Sequence, residues 1–268
     1  MGAALCYSPQ KNEILDKIRK ILTTDPLQII SDWSRFCKKE DLVSTAVLFS
    51  VLNAMAQYIF SYDHREFLTF IERYGYVIGQ GDVYDFVPNL IRSRLLVKKP
   101  QLNVLIIGFG GPMYLRKIKG VRMLITDLWP EYYYVLERSK AGPHEVSIYR
   151  RPYYLFDAGQ NNYLISHADV VVITASAVTS NTIDELLMNA SRRPLVWIYG
   201  RSSNPFLFLT LRARDVSIVS WSHYTDIEKI LKDLEWEYPH MFEEYMDMRG
   251  YVVHRYVYKD WRKEEQAA

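Results

Sequence analysis

Cysteine is almost missing from this chain: Cys6 and Cys37 are the two in 268 residues, and no C-x-x-C spacing occurs. That excludes a zinc ribbon and a disulfide scaffold, and it points to a reducing cytoplasm. A dominant charge is missing too. The net charge is +2 with no basic block, so nothing marks a nucleic-acid surface, and no nucleic-acid partner is expected. Long apolar runs are lacking. Leu42 to Phe60 comes nearest to a membrane span, but Ser44, Thr45, Ser50, Asn53 and Gln57 interrupt it, and it reads as a buried helix. The first residues, Met1 to Cys6, lack a basic flank and a long apolar core and read as a short leader. Catalytic signatures are absent as well. The six histidines are scattered, and there is no H-E-x-x-H, G-x-S-x-G or P-loop pattern, so no metal ligand set or acid–base pair can be chosen from the residues.

The most informative stretch is Ala168 to Leu187. Val170-Val171-Val172-Ile173 is an unbroken β-branched run, the mark of a strand covered on both faces in a parallel sheet. Thr174, Ser176, Thr179, Ser180, Asn181 and Thr182 follow at once. They fall where open α/β sheets bind ligands, outside the carboxyl end of a strand. Thr182-x-x-Glu185 fits a capping box opening a helix, whose free N–H groups suit an anion. One such side chain suffices for a cap; six are present.

Around this stretch the chain divides in two. Up to Lys98-Lys99-Pro100 it reads as mainly helical, with helices over roughly 9–22, 43–60, 64–74 and 83–94. Beyond the joint, short apolar runs alternate with polar turns and helices. Strands are expected at 104–107, 121–126, 170–174, 195–199 and 216–220. The fold class is therefore α/β: a mostly parallel, Rossmann-like sheet with helices on both faces over 99–268, beside a smaller helical lobe over 1–98. From about residue 226 a helix and an aromatic-rich segment, Tyr251 to Trp261, complete the chain, and residues 262–268 are expected to fray.

Two further loops carry polar chemistry. Gly108-x-Gly110 after the first strand is half of a dinucleotide fingerprint, and Asp127 stands where the ribose-binding acid would be. The third glycine is replaced by Met113, and Pro112 interrupts the usual helix start. A tight turn needing glycine is an equal reading of Gly108, and helix-start duty an equal reading of Asp127. After Tyr199, the loop Gly200-Arg201-Ser202-Ser203-Asn204-Pro205 would suit a carboxylate or phosphate, although these are also ordinary turn residues. Parallel strands would bring all three loops to one edge.

Together, Ala168 to Thr174, Asn181-Thr182, Leu186-Leu187, Ile107-Gly108-Phe109, Gly200-x-Ser202-Ser203-x-Pro205 and the segment from Ala46 to Asn53-Ala54 resemble a family of archaeal and bacterial heavy-metal chelation proteins. The resemblance covers about residues 40–220 and implies an enolase-like N-terminal lobe, a Rossmann-like domain and a site in the cleft between them. It also implies metal chelation, or handling of a small metal-binding compound. The hairpin expected before the Asn-Ala helix is reduced to Leu27–Ile30. The leading expectation is a protein binding a small anionic or metal-chelating ligand, with a metal ion or metal chelate as the candidate cofactor. Its candidate site holds Asn53, Gly108, Gly110, Asp127, Thr174, Ser176, Asn181, Thr182, Gly200, Ser202 and Ser203. Two alternatives stand beside it. One is an enzyme using NAD or S-adenosylmethionine; the other is a non-enzymatic interaction module using the aromatic C-terminal segment. The sequence leaves room for a homo-oligomer.

Overall fold

The computed structural model describes residues 49–56, 64–108, 112–127, 154–180, 182–200, 203, 205, 215–225 and 252–261. Among the described residues eight strands form one sheet: β1 (Tyr76–Ile78), β2 (Leu102–Ile107), β3 (Val121–Asp127), β4 (Tyr154–Asp157), β5 (Val170–Thr174), β6 (Leu195–Tyr199), β7 (Ile218–Tyr224) and β8 (Val252–Lys259). Their spatial order is β1-β8-β7-β6-β5-β2-β3-β4. All pairings from β4 to β7 are parallel. β8 pairs antiparallel with both β7 and β1. The six parallel strands follow the doubly wound order, reversing direction between β2 and β5.

The residues account for this arrangement. Every side chain of β5 is buried, which satisfies the β-branched run: alternate residues feed two different cores. Val170 and Val172 join Val104, Ile106, Met123, Ile125 and Trp197 on one face. Val171 and Ile173 join Leu105, Ile107, Leu124, Val196 and Ile198 on the other. Each fully buried side chain of this size contributes about 1.5–3 kcal/mol. Helices cover both faces. α1 (His64–Arg73) places Phe67 and Ile71, one turn apart, in the second core. α3 (Asn161–His167) and α5 (Ile183–Ala190) bury Leu164, Ile165, Leu186 and Leu187 there as well. The opposite face is covered by α2 (Val83–Leu90) through Val83, Val87 and Leu90, and by the 3-10 turn Met113–Lys117 through Leu115. A further helix, α4, is the single turn Ser176–Thr179.

The helix expected over 83–94 starts as anticipated, with Asp82 accepting the Tyr84 N–H at 2.8 Å. It then changes character: Ile91–Leu95 forms a π-helical turn following Pro88, whose missing N–H leaves a gap in the α ladder. Strand β7 also shifts, from the expected 216–220 to Ile218–Tyr224. Its serines conceal it. Ser220 and Ser222 are buried, and Trp197 Nε1 donates to Ser220 Oγ at 2.8 Å, so a polar residue at an inward position is satisfied by a partner rather than replaced by an apolar one.

The expected N-terminal lobe falls mostly outside the described residues, including the helix at 9–22 and Leu27–Ile30. Its described part is tied into the main sheet through β1 and through α1 and α2 on opposite faces. Across the joint near residue 98, Lys99 Nζ donates to both Asp169 carboxylate oxygens at 2.8 and 2.9 Å, and Asp169 also accepts the Asn103 N–H at 2.8 Å. Among the described residues no helix is long and apolar enough to cross a membrane.

Candidate functional site

The carboxyl ends of β2, β5 and β6 lie side by side, Ile107 beside Ile173 and Thr174 beside Tyr199. The loops that leave them therefore start at one edge, at the point where the strand order reverses. Backbone bonds fix their first residues to the neighbouring strands: the Gly108 N–H donates to Thr126 O of β3 and the Ala175 N–H to Tyr199 O of β6, both at 2.8 Å. Gly108 has φ +93°, a conformation glycine adopts without strain. A Cβ there would lie 2.0 Å from Thr174 Oγ1. Thr174 is itself fixed, since its buried hydroxyl donates to Ile107 O at 3.0 Å and sits 2.8 Å from Ser176 Oγ. Ser176 is half-buried and continues this chain of hydroxyls. Gly200, at φ +127°, opens the third loop.

The polar residues differ in what they do. Asp127 ends β3, is buried, and stands opposite Asp157 at the end of β4. Asp157 turns away to accept the Gly159 N–H at 2.7 Å. Ser203 is buried with its hydroxyl set against the carbonyls of Gly200 and Ser220, so it secures the third loop to β7. Asn53 is buried on the helical segment 49–56. Phe49, one turn earlier on the same face, belongs to the core that also holds Ala177 and Val178. Gly110, Asn181 and Ser202 lie outside the described residues.

The capping box at Thr182 does not form. Thr182 occupies the position before α5, but with φ −105° and ψ −8° its side chain makes no cap bond. A capping hydroxyl needs extended backbone at that position. Here α4 brings the chain back, and Thr182 Oγ1 instead sits 3.0 Å from Ser180 Oγ and 3.4 Å from Ala177 O. Glu185, the expected reciprocal partner, accepts from Asn162 Nδ2 at 3.2 Å.

Several groups at this edge were not singled out from sequence. Thr126 Oγ1 is buried at the end of β3 with no hydrogen-bond partner among the described residues. Tyr84, Tyr114, Tyr199 and His254 cluster on the α2 face. Tyr84 Oη lies 2.8 Å from Tyr199 Oη and 3.4 Å from His254 Nε2. Burial, reinforced by Tyr199, Asp82 and Asp85, drives the Tyr114 phenol well above its usual range. On the α1 face, a cavity of about 860 Å³ opens between α1, β1 and the adjoining ends of β7 and β8, with Glu72, Gln80, His223 and Arg255 in its wall. Burial, and then the Arg255 charge, pushes the His223 imidazole below its ordinary value. Tertiary proximity joins residues 84, 199 and 254, and only the β8 pairing could have revealed it. Among the described residues no cluster of three His, Cys, Asp or Glu side chains could hold a metal ion.

Comparison with known proteins adds family and fold. A family model, DUF364, described as "Putative heavy-metal chelation", matches residues 93–245. The crystal structure of a DUF364 protein of unknown function from Desulfitobacterium hafniense is similar at TM-score 0.50 and 14% identity, over 83% of this chain and 70% of that one. Another DUF364 protein of unknown function, from Pyrococcus horikoshii, aligns at TM-score 0.46 and 16% identity, over 82% of this chain and 70% of that one. No curated protein matches the chain.

Proposed function

The chain belongs to the DUF364 family, and from that premise we propose that it binds a small anionic or metal-chelating ligand in the crevice between the loops after β2, β5 and β6. The observation that carries this reading is that those loops leave neighbouring strand ends, beside the point between β2 and β5 where the strand order reverses, the place where doubly wound sheets take their ligands. Gly108 and Gly200 bring bare backbone to the crevice, Ser176 offers a hydroxyl, and Asp127 a carboxylate suited to a ribose, an ammonium group or a metal ion. Thr174 orients Ser176 from behind. Asn53, Gly110, Asn181, Thr182, Ser202 and Ser203 complete the expected surroundings, with the N-terminal lobe closing the cleft. Metal or metal-chelate handling in the cytoplasm is the role this reading assigns.

A second reading has one specific observation in its favour. The parallel strands run in the Rossmann order, with Asp127 at the end of the second strand of that unit, where NAD enzymes hold the ribose. Met113 in place of the third glycine weighs against it. A thermal-shift comparison of iron(III) citrate, citrate alone, NAD and S-adenosylmethionine separates the two. A ligand at 100 times its Kd adds about 2.7 kcal/mol, a shift of roughly 5–10 °C for a domain of this size. A shift with citrate or its iron chelate supports the first reading. A shift confined to NAD or S-adenosylmethionine replaces it with the second.

A further inference from the structure

On the α2 face of the same sheet edge, three side chains from three separate elements converge: Tyr84 from α2, Tyr199 from the last position of β6, and His254 near the start of β8. All three are half-buried. Tyr84 Oη is 2.8 Å from Tyr199 Oη and 3.4 Å from His254 Nε2. Metal–oxygen and metal–nitrogen bonds of about 2.0–2.2 Å place neighbouring donors roughly 2.8–3.6 Å apart in octahedral or tetrahedral shells. Both separations fall within that span. The His254 ring meets the Tyr84 ring edge-on at 5.0 Å, and the Tyr114 ring meets Tyr84 from another side at 5.2 Å.

We propose that Tyr84, Tyr199 and His254 are the protein ligands of a hard, highly charged cation of the iron(III) class, bound with its remaining coordination positions open. The proposal rests on the reading of this protein as a binder of metals or metal chelates, and it names the side chains that touch the ion. Ligand chemistry selects the class: two phenolate oxygens are hard anionic donors, imidazole suits iron, and thiolates that would favour soft ions are absent from the cluster. On binding, Tyr84 and Tyr199 each release one proton to solvent while His254 Nε2 donates a neutral lone pair. Two negative charges then face a tripositive ion, leaving the site at net +1, and no electron is transferred. Tyr114 is the wall of this site and not a ligand: its ring packs edge-on against Tyr84, and its buried hydroxyl bonds to none of the three. Tyr199 immediately precedes Gly200 of the crevice, so an anionic chelator seated there could fill the open positions.

The test uses the full chain titrated with iron(III) citrate, read by visible absorption and by bound iron after desalting. Wild-type protein is expected to show a phenolate-to-iron charge-transfer band, with about one iron per chain. Tyr84→Phe and Tyr199→Phe should each abolish or strongly weaken the band and lower iron affinity at least about tenfold, in line with loss of a ligand. His254→Gln should lower affinity while keeping a shifted band. Tyr114→Phe should retain both. Melting curves of each variant identify any that fail to fold, and the Phe substitutions keep the rings that pack α2 against the sheet. Absence of the band in wild type, or its survival in the Tyr84→Phe/Tyr199→Phe double variant, overturns the assignment. The thermal shift with citrate alone is scored separately: if it persists while the band is absent, the tyrosine site fails and the crevice reading stands.

Discussion

Gly108→Ala perturbs the start of the loop after β2 at a constrained backbone position. The substitution asks alanine to hold φ +93°, which costs about 1–2 kcal/mol for a residue with a Cβ. It also drives that Cβ to 2.0 Å from Thr174 Oγ1. Thr174 is 4% exposed, and its hydroxyl is engaged by Ile107 O and Ser176. It cannot retreat without breaking those bonds or overpacking the core, a further cost of about 1–3 kcal/mol. The sum, about 2–5 kcal/mol, is a large share of the roughly 5–15 kcal/mol that stabilises a folded protein. Chemical denaturation should record it directly, and the melting temperature should fall by roughly 4–20 °C. The Gly108→Ala/Thr174→Ala double variant isolates the clash. It should be more stable than the two single effects summed, by about 1–3 kcal/mol. A Gly108→Ala protein that melts with wild type, or a double variant that is strictly additive, would refute the steric part of this reasoning.

The remaining predictions concern other contacts. Asp169→Ala should cost about 1–3 kcal/mol because it strands the part-buried Asn103 N–H. Lys99→Ala, which removes the exposed partner of the same ion pair, should cost about 0–1 kcal/mol; equal losses in urea melts would contradict this. Thr182→Ala should lose less than the ~1 kcal/mol of a true helix cap, since its hydroxyl makes no cap bond, and a larger loss would restore the cap. His223 is held below its ordinary pKa of 6.5, so the unfolded chain binds its proton more readily. Its contribution to stability is present above that value and is lost as pH falls through it toward the folded-state pKa. His223→Gln should therefore flatten the fall in stability on acidification from neutral pH, as read by denaturation at a series of pH values.

The parallel core was legible because its residues carry a local signal. Val170–Ile173 and Val104–Ile107 are apolar on both faces, and only a strand covered by helices on both sides explains that. β8 was less so. Its Val, Tyr and His alternate between two faces, but Arg255 and His254 interrupt the apolar pattern, and its antiparallel partners, β1 and β7, lie elsewhere in the chain. β1, at three residues, is too short to show a period. At the site, the convergence of Gly108, Thr174 and Gly200 followed from parallel strand direction alone. The cap at Thr182 did not, because spacing specifies which residues could pair but not the backbone angles at the turn. The Tyr84, Tyr199 and His254 cluster was out of reach for a similar reason, as 170 residues separate its ends in the chain.

Hydrogen exchange with and without iron(III) citrate tests the central claim most directly, because it reports where a ligand sits without assuming what it does. The account predicts slowed exchange at residues 108–112, 175–182 and 200–205, the three loops of one sheet edge, with β4 and α3 unchanged. Slowed exchange confined to the α1, β1 and β8 cavity, or none at ligand concentrations that shift the melting temperature, would contradict it.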